Sequence, residues 1–187
     1  MERKRVEIEA KFPLYNKKIA INKLNEVGIP TETNNIQKDI YYTPAHKNFL
    51  EGETISEWLR IRNTNNEKTI NYKNWSNNKG NNKISCKEIE IGIDDYNGMI
   101  EMFEALDFKK IIVVEKVRNS WEYNGIVISL DTINNLGDFI ELEFKTNLFD
   151  NEEDSLNYIK ETIKGLDIEV GEQIFAGYPQ LIMNKDK

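Results

Sequence analysis

Near its start, the chain carries the sequence Glu7-Ile8-Glu9-Ala10-Lys11. Its three charged side chains alternate with apolar ones. In a strand, this period of two puts both carboxylates and the ammonium on one face and the apolar residues on the other. Two like charges on one face repel unless a cation lies between them, and hard divalent cations take oxygen ligands. The stretch therefore predicts a strand whose charged face suits a cation.

The same alternation of charged and apolar residues recurs in strand after strand. For any one strand, the charged face is expected to lie in water. Across the whole set, however, acids and bases are nearly balanced and almost every position carries a formal charge. Carboxylates suit Mg²⁺ or Mn²⁺, and Arg and Lys suit phosphate oxygens. A sheet closed on this face would have an interior fit for a metal–polyphosphate complex. The positions are Glu7, Glu9, Lys11, Arg60, Arg62, Lys73, Glu88, Glu90, Lys116, Arg118, Asp131, Glu141 and Glu143.

Composition excludes several classes of function. The 187 residues include 25 Lys and Arg against 32 Asp and Glu, a net charge of −7, which disfavours a nucleic-acid partner. Cys86 is the only cysteine and His46 the only histidine, so a disulfide and a multi-histidine metal site are excluded within one chain. No long apolar run or signal-peptide pattern is present. We therefore expect a cytoplasmic protein with no membrane partner.

The order of predicted elements indicates an α+β fold. Strong turn signals such as Asn124-Gly125 separate the strands. The dominance of strands favours an antiparallel sheet or barrel with helices packed outside, in a single domain over residues 1–187. The predicted strands are 5–13, 36–43, 57–64, 68–75, 84–93, 110–121, 126–133 and 138–146, and the predicted helices are 15–27, 95–106, 154–166 and a short one at 175–183.

An ordered set of motifs follows the opening stretch. The set comprises Asp39-Ile40-Tyr41-Tyr42, Leu59-Arg60-Ile61-Arg62, Tyr72-Lys73, Lys87-Glu88-Ile89-Glu90, Lys116-Val117-Arg118, Asp131 and Leu136-Gly137-Asp138-Phe139-Ile140-Glu141-Leu142-Glu143. Together with the ExExK pattern of residues 7–11, this set resembles the CYTH superfamily, the triphosphate tunnel metalloenzymes. The resemblance implies a closed eight-stranded antiparallel β-barrel, a triphosphate tunnel, with helices outside. The segment 136–143 and Gly177-Tyr178-Pro179 look most like the class IV adenylyl cyclase branch.

The resemblance also implies roles for individual residues. Lys116 and Arg118 are expected to be catalytic, and the cofactor is expected to be Mg²⁺ or Mn²⁺. The residues expected to bind the metal are Glu7, Glu9, Asp131, Glu141 and Glu143. The residues expected to bind the substrate are Lys11, Arg60, Arg62, Lys73, Lys116, Arg118, Glu88, Glu90 and Tyr41.

Several functions are compatible with this pattern. The favoured one is conversion of ATP to cyclic AMP and pyrophosphate. Hydrolysis of inorganic triphosphate or thiamine triphosphate is an alternative, with Lys116 paired to Tyr41 or Tyr42, although packing is the favoured role for both tyrosines. A non-catalytic binder of polyphosphate or nucleotide is a third. The resemblance also implies a homodimer, because short members of the family often dimerise.

Overall fold

The structure is a computed structural model that describes residues 6–51, 55–75, 85–144 and 152–185. The side chains of Val6, Glu7, Ser85, Cys86 and Glu152 also lie outside the description. None of the helices in these ranges combines the length and apolar character needed to cross a membrane.

The described residues form eight strands and four helices, so the predicted α+β class is confirmed. The strands are β1 (Val6–Pro13), β2 (Ile29–Thr43), β3 (Glu57–Asn63), β4 (Lys68–Asn74), β5 (Ser85–Gly92), β6 (Lys109–Tyr123), β7 (Ile126–Ile133) and β8 (Gly137–Phe144). The helices are α1 (Lys17–Val27), α2 (Tyr96–Ala105), α3 (Glu152–Gly165) and α4 (Tyr178–Lys185).

The eight strands belong to one antiparallel sheet, as predicted. Their order of pairing is β1-β5-β4-β3-β2-β6-β7-β8. β1 pairs with β5 through Val6–Ile8 and with β8 through Glu9–Pro13. The order of pairing therefore returns to the strand from which it started.

Local sequence signals account for the ends of several elements. The Asp95 side chain accepts a hydrogen bond from the backbone N–H of Gly98 at 2.9 Å and caps the start of α2. Asn124 and Gly125 both have positive φ, at 49° and 79°, as a tight hairpin between β6 and β7 requires. Both signals are local and can be read without knowledge of the tertiary fold.

The start of β2 departs furthest from its predicted boundary. The strand expected at 36–43 begins at Ile29, because β2 pairs with β6 along most of its length through irregularities around Glu32. Asn34 lies there with φ of 48°, in the left-handed region that asparagine tolerates. The polar residues 31–35 carry no alternating pattern, so periodicity could not predict that the strand extends back to Ile29.

The helices cover the apolar side of the sheet. α1 and α3 pack on β1, β7 and β8 through a buried cluster that includes Leu24, Leu142 and Ile159. α2 packs on β2 and β3, where Tyr42 meets the Phe103 ring edge-on with centroids 5.1 Å apart. Tyr42 thus packs under a helix, in agreement with the packing role that the sequence favours for it. Since strand side chains alternate, the charged positions face the opposite side of the sheet, which is called the interior face below.

Candidate active site

The interior face bounds a cavity that brings most of the predicted site residues together. Two predicted residues are exceptions. The side chain of Glu7 lies outside the described residues, and Asp131 is buried behind the cavity wall at 1% exposure. The predicted residues that line the cavity are Glu9, Lys11, Tyr41, Arg60, Arg62, Lys73, Glu88, Glu90, Lys116, Arg118, Glu141 and Glu143.

Strand register places these charges beside one another. Lys11 pairs with Glu141 across β1 and β8, and Lys73 pairs with Glu88 across β4 and β5. Directly opposite residues on neighbouring strands have side chains close enough to interact. The period of two within each strand, combined with this register, therefore builds rows of adjacent acids and bases.

Asp131 on β7 anchors two bases of β6. Its Oδ2 accepts hydrogen bonds from Lys116 Nζ at 2.9 Å and from Arg118 Nη2 at 2.6 Å, and its Oδ1 accepts one from Arg118 Nε at 2.7 Å. Burial disfavours its charge, but the charges of Arg118 and Lys116 outweigh burial and lower the pKa of Asp131 to about 2. These contacts hold the two bases in place, and the metal-ligand role expected for Asp131 remains a prediction.

Lys116 is a base of the site whose pKa is shifted towards neutrality. Its side chain is buried, and burial together with the neighbouring Arg118 charge lowers its pKa to about 8, against the opposing pull of Asp131. An amine with a pKa near neutrality can both accept and donate a proton at physiological pH. Lys116 can therefore do more than bind an anion.

Asp39 anchors a second pair of bases. Arg62 binds it with two hydrogen bonds, Nε to Oδ1 and Nη2 to Oδ2, each 2.7 Å long. Arg60 Nη1 lies 3.5 Å from Oδ2. Asp39 is 2% exposed and stands behind the arginines rather than on the cavity wall of the described residues. It fixes the direction of both guanidinium groups.

Carboxylates are crowded around β1, β5 and β8. Glu9 lies opposite Glu143, and Lys73 Nζ lies 3.4 Å from Glu9 and 3.8 Å from Glu88. Burial and the like charges of Glu9, Glu141 and Glu88 outweigh Lys73 and raise the pKa of Glu143. A divalent cation would relieve this repulsion, so the donor set fits Mg²⁺ or Mn²⁺ chemically.

The carboxylates described in that region do not form a complete metal site by themselves. Within the described residues, no three or more Asp, Glu, His or Cys side chains form a group spaced to hold a metal ion. Glu141 is paired with two cationic side chains: Arg118 Nη2 lies 2.9 Å and Lys11 Nζ 3.6 Å from its carboxylate. Burial opposes its ionisation, but Arg118 and Lys11 hold the pKa of Glu141 well below its usual range.

Sequence reasoning assigned no role to three residues that organise the site. Asp39 lies in a quoted motif, but only the strand register shows that it faces Arg62. Asn71 donates to Glu88 at 2.5 Å and to Glu90 at 2.9 Å, and so holds the second E-x-E pair. Tyr178 donates to Asp131 Oδ2 at 2.9 Å from the start of α4. No local pattern signals these contacts, because each joins residues far apart in the chain.

A protein-family model and a known protein both match most of the chain. Residues 5–178 match the model of the CYTH domain. A protein of Methanocaldococcus jannaschii whose name proposes adenylate cyclase activity is 28% identical over 176 residues, which cover 94% of this chain and 98% of that protein.

Solved structures show the same fold. The PH1819 protein of Pyrococcus horikoshii has a TM-score of 0.78 and 27% identity, over 96% of this chain and 99% of that one. A Hippeastrum protein, proposed as an adenylyl cyclase and described as having a dominant triphosphatase activity, has a TM-score of 0.67. The match covers 96% of this chain and 95% of that one, and at 15% identity it shows the fold alone.

Proposed function

Because the chain belongs to the CYTH domain family, we propose that it is a metal-dependent enzyme that binds a triphosphate on the interior face and converts ATP to cyclic AMP and pyrophosphate. The proposal treats residues 1–187 as a single CYTH-like domain and the sheet as a closed barrel whose interior is the triphosphate tunnel. The circuit of strand pairings supports that view.

The observation that carries the proposal is the pair of anchored cation groups on one cavity wall. Asp39 fixes Arg60 and Arg62, and Asp131 fixes Lys116 and Arg118. The oxygens of each anchoring carboxylate contact the bases that it holds, and those bases line the cavity. Positively charged groups fixed before substrate arrives favour binding of a polyanion, because little ordering remains to be done.

The crowded carboxylates support a metal site beside β1 and β8. Glu9 and Glu143, with Glu7 beside them in sequence, would hold Mg²⁺ or Mn²⁺. A divalent cation there would supply charge neutralisation and polarisation of the phosphate under attack. Glu141 and Asp131, also predicted ligands, keep the bases oriented in the arrangement described.

The chain's own residues account for the rest of the chemistry. The cations bind the phosphate oxygens and hold the substrate still. In the cyclase reaction, the ribose 3′ oxygen bonds to the α-phosphorus, the bond from that phosphorus to the β-phosphate oxygen breaks, and pyrophosphate leaves. Lys116, with its pKa of about 8, accepts the proton of the 3′ hydroxyl. Arg118 stabilises the charge that develops on the transferred phosphate.

Hydrolysis of a triphosphate is the second candidate. For this chain it is supported by Lys116, whose lowered pKa suits activation of water equally well. A Hippeastrum protein of the same fold is described as having a dominant triphosphatase activity. Tyr41 lines the cavity, whereas Tyr42 packs under α2. The tyrosine partner in a hydrolytic pair would therefore be Tyr41.

The two candidates differ in their products. ATP, tripolyphosphate and thiamine triphosphate would be incubated separately with Mg²⁺ and with Mn²⁺, and the products identified by phosphorus NMR. Cyclic AMP and pyrophosphate from ATP are the expected result. Orthophosphate release would establish hydrolysis instead, and micromolar binding without turnover would establish a binding protein and refute the enzyme proposal.

Three further expectations belong to this proposal. They are a cytoplasmic location, a homodimer, and the absence of a nucleic-acid or membrane partner. Light scattering at several protein concentrations checks the dimer, because a monomer at every concentration would contradict it.

A further inference from the structure

Tyr178 lies outside the sheet in sequence but reaches the centre of the site. The segment that precedes it runs along β1, where the backbone N–H of Gly171 donates to Pro13 O at 2.9 Å and that of Ile174 donates to Lys11 O at 2.8 Å. α4 then begins at Tyr178, whose side chain is 6% exposed. Backbone pairing with the strand that carries Lys11 therefore delivers a phenol to the buried side of the cavity.

The hydroxyl of Tyr178 contacts the anchor of the catalytic bases. It donates to Asp131 Oδ2 at 2.9 Å, the same oxygen that accepts from Lys116 and Arg118. A carboxylate oxygen with three donors has little freedom to move. The phenol thus completes the contacts that fix Asp131, and Asp131 in turn fixes Lys116.

The ring of Tyr178 contacts two cations. Lys11 Nζ lies 4.2 Å and Lys116 Nζ 5.1 Å from the ring centroid, within the range of cation–π attraction. Phe139 packs edge-on at 5.3 Å and holds the ring in place. Two ammonium groups from different strands, which repel each other, are therefore both attracted to one ring.

We propose that Tyr178 is a positioning residue that aligns Lys116 through Asp131 and places Lys11 through its ring. The proposal rests on the proposed triphosphate function of the site. The hydroxyl serves the orientation of the catalytic base, and the ring serves the placement of a phosphate-binding lysine. The two parts of the side chain therefore have separable effects on turnover and on binding.

Two substitutions separate these effects. Tyr178→Phe keeps the ring and removes the hydrogen bond to a charged group, so kcat should fall roughly tenfold or more while KM stays within about twofold. Tyr178→Leu also removes the cation–π contacts, so KM should rise roughly fivefold in addition. Tyr158→Phe is the matched control, because its hydroxyl contacts the Asn124 carbonyl away from the site and its kinetics should be unchanged.

The measurements are kcat and KM on the preferred triphosphate, calorimetric binding of tripolyphosphate, and circular dichroism to obtain the folded fraction. A Tyr178→Phe variant with wild-type kcat per folded molecule overturns the proposal, as does a Tyr178→Leu variant that folds and binds tripolyphosphate as tightly as wild type. If Tyr178→Leu does not fold, Tyr178→Phe alone decides. Wild-type protein that neither binds nor converts any triphosphate overturns the function and this inference together, whereas unaffected Tyr178 variants of an active enzyme overturn only this inference.

Discussion

Replacing Asp39 with asparagine tests the claim that a buried carboxylate holds the substrate-binding arginines. The change keeps the shape of the side chain but removes its charge, and so leaves Arg60 and Arg62 without their common counter-ion. Breaking a buried ion pair from one side costs about 3–5 kcal/mol. The arginine side chains are 14% and 12% exposed and reach the cavity water, so the lower end, about 3 kcal/mol, is expected.

This loss is measured by thermal unfolding. For a chain of this size, about 3 kcal/mol corresponds to a decrease in Tm of about 6–12 °C. Asp39→Asn also removes the anchor that orients the arginines before a polyanion arrives, so tripolyphosphate should bind the variant more weakly. At 100 times the wild-type Kd, tripolyphosphate stabilises wild type by about 2.7 kcal/mol, and at the same concentration it should stabilise Asp39→Asn by less.

Asp167→Asn is the matched control. Asp167 pairs with Lys23 at 2.6 Å, but its side chain is 95% exposed, and such surface pairs contribute about 1 kcal/mol or less. Its Tm should change little and should respond to tripolyphosphate as wild type does. An Asp39→Asn variant that lies within about 1 kcal/mol of wild type, or one that tripolyphosphate stabilises as much as it stabilises wild type, would contradict the anchoring role of Asp39.

Four other outcomes follow from the site. Burial opposes ionisation of Asp39, but Arg62 and Arg60 outweigh burial and hold its pKa below the usual range. The difference in unfolding free energy between wild type and Asp39→Asn is therefore present at neutral pH and should narrow as pH falls below about 4. A difference that stays constant down to about pH 2 would contradict this. Lys116→Ala should lose at least about 100-fold in kcat with unchanged circular dichroism. Lys38 is an exposed lysine paired with Glu115, so Lys38→Ala should keep full activity. Equal losses in the two variants would contradict the assignment of Lys116. Chelation with EDTA should abolish turnover and Mg²⁺ or Mn²⁺ should restore it, so turnover in EDTA would contradict the metal requirement. Glu143→Gln should raise the metal concentration needed for half-maximal activity. It should also raise Tm, because it relieves the crowding of like charges. A variant with wild-type metal dependence would remove Glu143 from the ligand set.

The sequence predicted which residues share a face, because strand alternation is a local property. Glu9 and Lys11 at i and i+2, and Arg60 and Arg62 likewise, line one cavity as expected. Alternation alone cannot decide whether a charged face meets water or an interior, since both give the same pattern. The ordered motifs supplied that distinction through the family resemblance.

The sequence did not predict how the charges pair. Register between strands decides that Asp39 faces Arg62 and that Asp131 faces Arg118, and register is set by the whole sheet. Tyr178 was quoted only as part of a motif, because its contact with Asp131 joins residues 47 positions apart. Long-range contacts of this kind have no signal in a local window of sequence.

The central claim is that a triphosphate binds on the interior face beside the crowded carboxylates. A crystal structure with a non-hydrolysable ATP analogue and Mn²⁺ tests it most directly, because the anomalous scattering of manganese locates the metal independently. The account predicts phosphate oxygens against Arg60, Arg62, Lys116 and Arg118, with Mn²⁺ beside Glu9 and Glu143. A fully occupied analogue bound elsewhere, for example in the outer cleft under α2 lined by Lys38, Lys68 and Lys110, would contradict it.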